Sequence, residues 1–187
     1  MKQVLKTVYE LDEVKQKAIE KNRYINVDFD DWCDFIIEKW EDVLDKVGFE
    51  QPKIKYSGFC SQGDGACFEA TPCLEKLIKQ SQQSEKNKEI LLDNINNMEA
   101  SITCCNHHYC HANTMDFDIY FYGDDEETQK IVDDFTKEIE ELRYNLSNDI
   151  YKELYDEFYN QISDEAVEET LRANDYDFEE DGTIYSD

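Results

Sequence analysis

Met115-Asp116-Phe117-Asp118-Ile119-Tyr120-Phe121-Tyr122-Gly123-Asp124 runs directly into Asp125-Glu126-Glu127-Thr128-Gln129-Lys130-Ile131. The change of period between these two stretches decides the fold. In the first, Met115, Phe117, Ile119 and Phe121 alternate with Asp116, Asp118, Tyr120 and Tyr122, which is a strand with one face turned inward. After Gly123-Asp124 the apolar residues fall at Ile131, Phe135, Ile139, Leu142, Leu146, Ile150, Leu154, Phe158 and Ile162. These steps of four, with one of three, predict a long helix from about residue 125 to residue 161. Their pitch exceeds 3.6, so the apolar stripe drifts around the helix or the helix bends, with residues 145–148 as the expected place.

Working outward, Ser101–Tyr122 reads as extended, and Ile54–Ser61 with Ala66–Ala70 flanks Gln62-Gly63-Asp64-Gly65 as a hairpin. Thr71-Pro72 is expected to open a helix carrying Leu74, Leu77 and Ile78. Further upstream, Val4–Glu10 reads as a short first strand or an extended lead-in, and Asp12 caps a helix over about 13–22. Trp32, Ile36, Trp40, Val43 and Val47 form the stripe of a second helix, which Gly48 and Pro52 end. Downstream, Ser163 caps a short helix that Asn174 closes. Residues 176–178 and 183–185 around Asp181-Gly182 read as a last hairpin. The expected fold is therefore α+β: a small antiparallel sheet packed by helices, a long acidic C-terminal helix, and a short terminal helix plus hairpin. We expect one domain over 1–187, with an α+β part to 123 and an acidic, mainly helical part over 124–187.

Charge is the strongest functional signal. The 187 residues hold 19 Lys+Arg and 45 Asp+Glu, net −26. Residues 1–58 carry 10 basic and 13 acidic side chains, residues 59–122 carry 4 and 9, and residues 123–187 carry 5 and 23. At 13% aromatic and with 2 Pro, the chain is not a disordered acidic tail. Its field opposes direct binding to nucleic-acid phosphate. No apolar run reaches the length of a membrane span and Met1-Lys2-Gln3 opens no secretory signal, so the expected location is the cytoplasm of a host cell. Seven cysteines without a CxxC pair fit a reducing compartment. An excess of Asp and Glu solubilises any helix. The same groups also complement a basic groove on another protein, such as a nuclease or another nucleic-acid-binding effector. The acidic contact residues expected there are Asp124, Asp125, Glu126, Glu127, Asp133, Asp134, Glu140 and Glu141.

Reactive residues concentrate in Cys104-Cys105-Asn106-His107-His108-Tyr109-Cys110-His111. In an extended segment, Cys104, His108 and Cys110 share one face, and Cys105, His107 and His111 the other. Cys60, Cys67 and Cys73 are near enough in sequence to complete a metal site across the sheet, but the spacing matches no paired ligand knuckle. The plainer reading is a strand with buried thiols and exposed imidazoles, with no metal and no cofactor. A thiol hydrolase would use Cys67 as nucleophile, a histidine as base and Gln62 as oxyanion donor. Against it, Cys67 lies within a predicted strand rather than at a helix N-terminus. Without catalysis, Gln62, Asp64, His108 and His111 would form a polar patch beside the hairpin that recognises a partner.

Tyr56-Ser57-Gly58-Phe59-Cys60-Ser61-Gln62-Gly63-Asp64-Gly65-Ala66-Cys67-Phe68 resembles the SGFxSQGDGAxF signature of a family of phage and prophage proteins sometimes labelled antitoxin-like. Val8-Tyr9-Glu10-Leu11, His108-Tyr109-Cys110-His111-Ala112-Asn113-Thr114-Met115, and Ala173-Asn174-Asp175-Tyr176-Asp177-Phe178 with Asp181-Gly182 are similar to other blocks of that family, in the same order. The resemblance implies no catalytic residues. By analogy with other acidic phage proteins of this size, it implies a non-enzymatic inhibitor of host defence, of the anti-CRISPR or DNA-mimic kind. An antitoxin neutralising a basic toxin is the alternative expectation.

Overall fold

A computed structural model describes residues 7–28, 30–104 and 109–186. The protein is α+β. Its described residues sort into two compact units, one formed by residues up to 34 together with those from 154, the other by 35–153.

In the 35–153 unit, helix α2 (Asp34–Val47) buries Ile36 and Leu44 and ends at Gly48, whose φ of +119° is the left-handed turn a glycine supplies at a helix C-terminus. That turn starts strand β1 (Phe49–Ser57) five residues earlier than the sequence suggests. Pro52 falls at an irregularity in the pairing between Glu50 and Lys53, beside Gln51 with φ of +52°. A bulge is where a strand tolerates a residue with no N–H. Strand β2 (Gly65–Pro72) pairs antiparallel with β1 from Ser57 opposite Gly65 to Phe49 opposite Pro72. Thr71 and Pro72 thus close a strand, contrary to the helix start expected of them. Proline is accommodated at that strand end, and the Cys73 amide instead donates to the Gly48 carbonyl at 2.7 Å.

Helices α3 (Leu74–Gln80) and α4 (Glu85–Asp93) follow, the second capped by Ser84 Oγ, which accepts the Asn87 amide at 3.2 Å. Strand β3 (Met98–Cys104) pairs antiparallel with β4 (Met115–Phe121), Met98 opposite Phe121 and Cys104 opposite Met115. The strands form two separate two-stranded sheets. The Phe49 ring joins their cores, meeting Phe68 edge-on at 5.2 Å and Phe117 at 6.5 Å between centroids. Helix α5 (Glu126–Gln161) is one uninterrupted helix, and its residues to 153 bury Val132, Phe135, Ile139, Leu146 and Ile150 in this unit.

In the other unit, helix α1 (Leu11–Lys21) and helix α6 (Asp164–Ala173) enclose Leu11, Val14, Ala18, Ile19, Val167, Leu171 and Phe178. Helix α1 begins two residues earlier than expected, with Glu10 rather than Asp12 as its cap, and the Glu10 amide donates back to Glu13 Oε2 at 3.0 Å. The C-terminal pairing is reduced to single bridges, Tyr9 with Phe178 and Phe178 with Ile184. Residues 4–6 of the expected first strand lie outside the described residues. No helix among the described residues is long and apolar enough to cross a membrane.

Candidate functional site

The glycine-rich loop between β1 and β2 is built around one carboxylate. Asp64 Oδ2 accepts the amides of Cys60 at 2.8 Å and Ser61 at 2.6 Å, which closes residues 60–64 into a compact turn. The loop lies against residues 109–111. A Cβ on Gly63 would stand 3.0 Å from the Tyr109 ring, and one on Gly65 would stand 2.5 Å from His111 Cβ and 2.8 Å from the Cys110 carbonyl oxygen. Ser57 Oγ accepts the Cys110 amide at 3.0 Å and donates to the Cys110 carbonyl at 3.2 Å. Phe59 stacks between Tyr56 and Tyr151, with centroids 5.8 Å away on each side. Gly63 and Gly65 are thus places where the 109–111 segment comes too close for a side chain.

Of the expected polar patch, Gln62 is exposed on this loop, and Asp64 is half-buried with its Oδ2 turned inward to the two amides. His111 is half-buried and its Nδ1 accepts the Asn113 amide at 3.1 Å, capping a short 3-10 turn over Ala112–Thr114. His108 lies outside the described residues, as do Cys105 and His107. The segments of Asp64 and His111 therefore meet, but the bonds made by both side chains fall within their own turns. The 3-10 turn is tied to α5 by Arg143, 8% exposed, whose Nη1 donates to the Ala112 carbonyl at 2.5 Å.

Three thiols gather between the sheets. Cys67, 1% exposed on β2, hydrogen-bonds with both Cys104, at the end of β3, and Cys110. The bond to Cys104 and then burial push the Cys67 thiol far above its ordinary range, while the same bond holds Cys104 below it. Burial raises Cys110 to about 11. Cys67 is thus a buried, protonated thiol, without the access or ionisation that a hydrolase nucleophile requires. Among the described residues no three His, Cys, Asp or Glu side chains converge as metal ligands.

The acidic residues of α5 divide by role. Asp125 Oδ2 accepts the Thr128 amide at 2.8 Å and the Thr128 hydroxyl at 2.5 Å, so it caps the helix, and burial opposes but does not overcome the lowering of its pKa by those bonds. Glu126 and Glu127 occupy the first turn, where the helix dipole favours them. Glu127 lies 3.9 Å from Lys86. Asp124, Asp133, Asp134, Glu140 and Glu141 are all exposed. Asp133 accepts from Gln129 Nε2 at 2.7 Å, and Asp134 stands 3.6 Å from Lys137. Glu141 rims a groove of about 390 Å³ floored by Val47, Leu77, Ile139 and Leu142.

A second acidic surface was not singled out from the sequence. The outward positions of β3 and β4 are Glu99, Ser101 and Thr103 facing Tyr120, Asp118 and Asp116, every one exposed. Tyr122, 68% exposed, continues the row and donates to Glu99 Oε2 at 2.7 Å. No outward position on either strand carries a basic side chain. Asp116, Asp118, Tyr120 and Tyr122 are the polar side of the alternation in Met115–Tyr122, and the pairing with β3 adds Glu99 to them.

The chain belongs to a family described as a domain of unknown function (DUF8835), whose model matches residues 32–164. The match spans the whole 35–153 unit, including the glycine loop, the thiols and the acidic sheet face. No curated protein matches the chain, and no solved structure does.

Proposed function

We propose that the protein is a non-enzymatic inhibitor that binds a basic, nucleic-acid-handling host protein through its anionic surface and blocks it. The observation that carries this reading is the outward face of β3 and β4. It sets Glu99, Asp116 and Asp118 beside Tyr120 and Tyr122, which are 55% and 68% exposed, with no cation among them. Carboxylates flanked by exposed tyrosine rings suit arginine, whose planar guanidinium bonds carboxylates in pairs and stacks on aromatic faces. The exposed Asp133, Asp134, Glu140 and Glu141 of α5 add to a chain-wide net charge of −26, which speeds encounter with a cationic partner. The resemblance of residues 56–68 to phage and prophage proteins supports a target in the host's defence, of the kind that anti-CRISPR proteins and DNA mimics block.

The test is capture of cationic proteins from host cytosol by the immobilised full chain, at about 0.05 M and about 0.3 M salt. The expected result is a nucleic-acid-binding protein that is retained at low salt, released at high salt, competed by duplex DNA, and lost when Glu99→Gln, Asp116→Asn and Asp118→Asn are combined. A complex indifferent to salt and to DNA, or one that survives the triple substitution unchanged, overturns the reading.

A further inference from the structure

The pairing of β3 with β4 leaves one side of β4 open, and the phase of the ladder tells which groups lie there. The Tyr122 amide donates to the Asn97 carbonyl at 2.9 Å, one step beyond the pair of Met98 with Phe121. In an antiparallel ladder, residues that exchange backbone bonds alternate with residues that turn theirs away. Tyr120, Asp118 and Asp116 therefore turn their backbone groups to β3, and Phe117, Ile119 and Phe121 turn theirs to the outer edge. Among the described residues no strand but β3 pairs with β4, and no group accepts the amide of Phe117 or Phe121. The amide between these two, that of Ile119, is held by its own neighbour, Asp118 Oδ1, at 2.9 Å.

A row of unpaired backbone groups is a template for a further strand, and charge decides which strand it accepts. A second copy of β4 is disfavoured. In the register of fullest overlap, 115–121 against itself, Asp118 would face its own copy, and like charges directly opposite destabilise a pair. A segment with Arg or Lys at every second residue instead sets cations opposite the exposed Asp116 and Asp118, with Tyr120 beside them.

We propose that β4 takes up an extended cationic segment of the target protein as an added strand, bonded main chain to main chain along its outer edge. This rests on the outward face of β3 and β4 being the anionic docking surface, and it adds the backbone contacts that fix the register there. Asp118 links the two kinds of contact. A guanidinium that draws its carboxylate away frees the Ile119 amide for the incoming strand. While the edge is unoccupied, the same carboxylate covers that amide and repels other acidic edges.

The probe is a capped peptide of alternating Arg and Val, as long as β4, added to the full chain at low salt. Binding is followed by fluorescence anisotropy and by residue-resolved amide exchange. Two isomers carry N-methyl groups, one at every Arg amide and one at every Val amide. Only one of these sets can face β4, so one isomer is expected to bind at least about tenfold more weakly while the other binds as the parent does. Exchange at Phe117, Ile119 and Phe121 is expected to slow at least about tenfold in the complex. Isomers that bind alike with no slowing at Phe117 and Phe121, or a parent peptide that does not bind, overturn the added strand. Cationic proteins that are still captured from the cytosol in either case leave the anionic surface standing and overturn the strand alone. Slowing at the same amides when the isolated chain is concentrated identifies a second copy as the occupant and also overturns it.

Discussion

Asp64 holds Ser61 at 2.6 Å, carboxylate oxygen to backbone amide, and through the same oxygen it holds Cys60. A short sequence of small and polar residues thereby acquires one shape. Both amides sit at exposed residues and can turn to water when the carboxylate is removed, so the loss is at the low end for charge-assisted bonds. Asp64→Ala is expected to cost about 1 kcal/mol, and Asp64→Asn, which keeps one acceptor, less. Urea unfolding of the full-length variants, with an unchanged slope, checks the order.

Gly65→Ala tests the close approach of the loop to residues 109–111. Its new Cβ would meet backbone at 2.8 Å, the Cys110 carbonyl and His111 Cα, and neither can swing away. Gly58→Ala would meet only the end of the Asp64 side chain, at 3.0 Å. The first substitution is expected to cost about 1–3 kcal/mol and the second clearly less. At this chain length each kcal/mol lowers the melting temperature by about 2–4 °C. Equal melting temperatures for the two variants would refute the contact.

The contrast between what was legible and what was not follows from locality. The α+β class was readable because Met115–Tyr122 and Ile131–Ile162 keep their periods over long stretches, and both elements formed as expected. Val132, fully buried, shows the width of the helical stripe that a one-residue-per-turn reading missed. The errors fell where a distant partner set the outcome. Phe49 begins a strand because its opposite number is Pro72, and Thr71-Pro72 fails to start a helix for the same reason. At the candidate site, the closeness of Asp64's loop to His111's segment was expected, but the turns that occupy both side chains depend on exact loop conformation. The gathering of Cys67, Cys104 and Cys110 needed the mutual placement of two hairpins, which no local pattern specifies.

The acidic sheet face carries its own titration marker. Tyr122 donates to Glu99, and that bond, then the Glu99 charge, raises the phenol above its ordinary value of about 10. A raised folded-state pKa means that the bond contributes below about 10 and is lost as pH rises through the folded value. Glu99→Gln is expected to bring the Tyr122 titration down towards that of a free tyrosine. Ring-proton shifts from pH 8 to 12, assigned with Tyr122→Phe, give the measurement, and an unmoved titration would separate the two side chains.

Asp181 predicts an acid-sensitive corner in the other unit. Its Oδ1 accepts the Thr183 amide at 3.0 Å, and its Oδ2 stands 3.3 Å from Lys21 Nζ. The Thr183 bonds, followed by Lys21, lower its pKa to about 2. A depressed carboxylate pKa contributes stability above its unfolded value of about 3.9, and that contribution is lost as pH falls through the folded value. The neighbouring Gly182, at φ +87°, packs its backbone against Lys17, and its carbonyl accepts from Asn22 Nδ2 at 3.0 Å, so the turn that Asp181 closes sits on helix α1. Protonating Asp181 should therefore loosen the turn from helix α1. Asp181→Asn is expected to melt below the wild type at pH 5, with the difference shrinking between pH 4 and pH 2 as the wild type loses the same interactions. A difference that stays constant over that window would assign the effect of the substitution to something other than the carboxylate's charge.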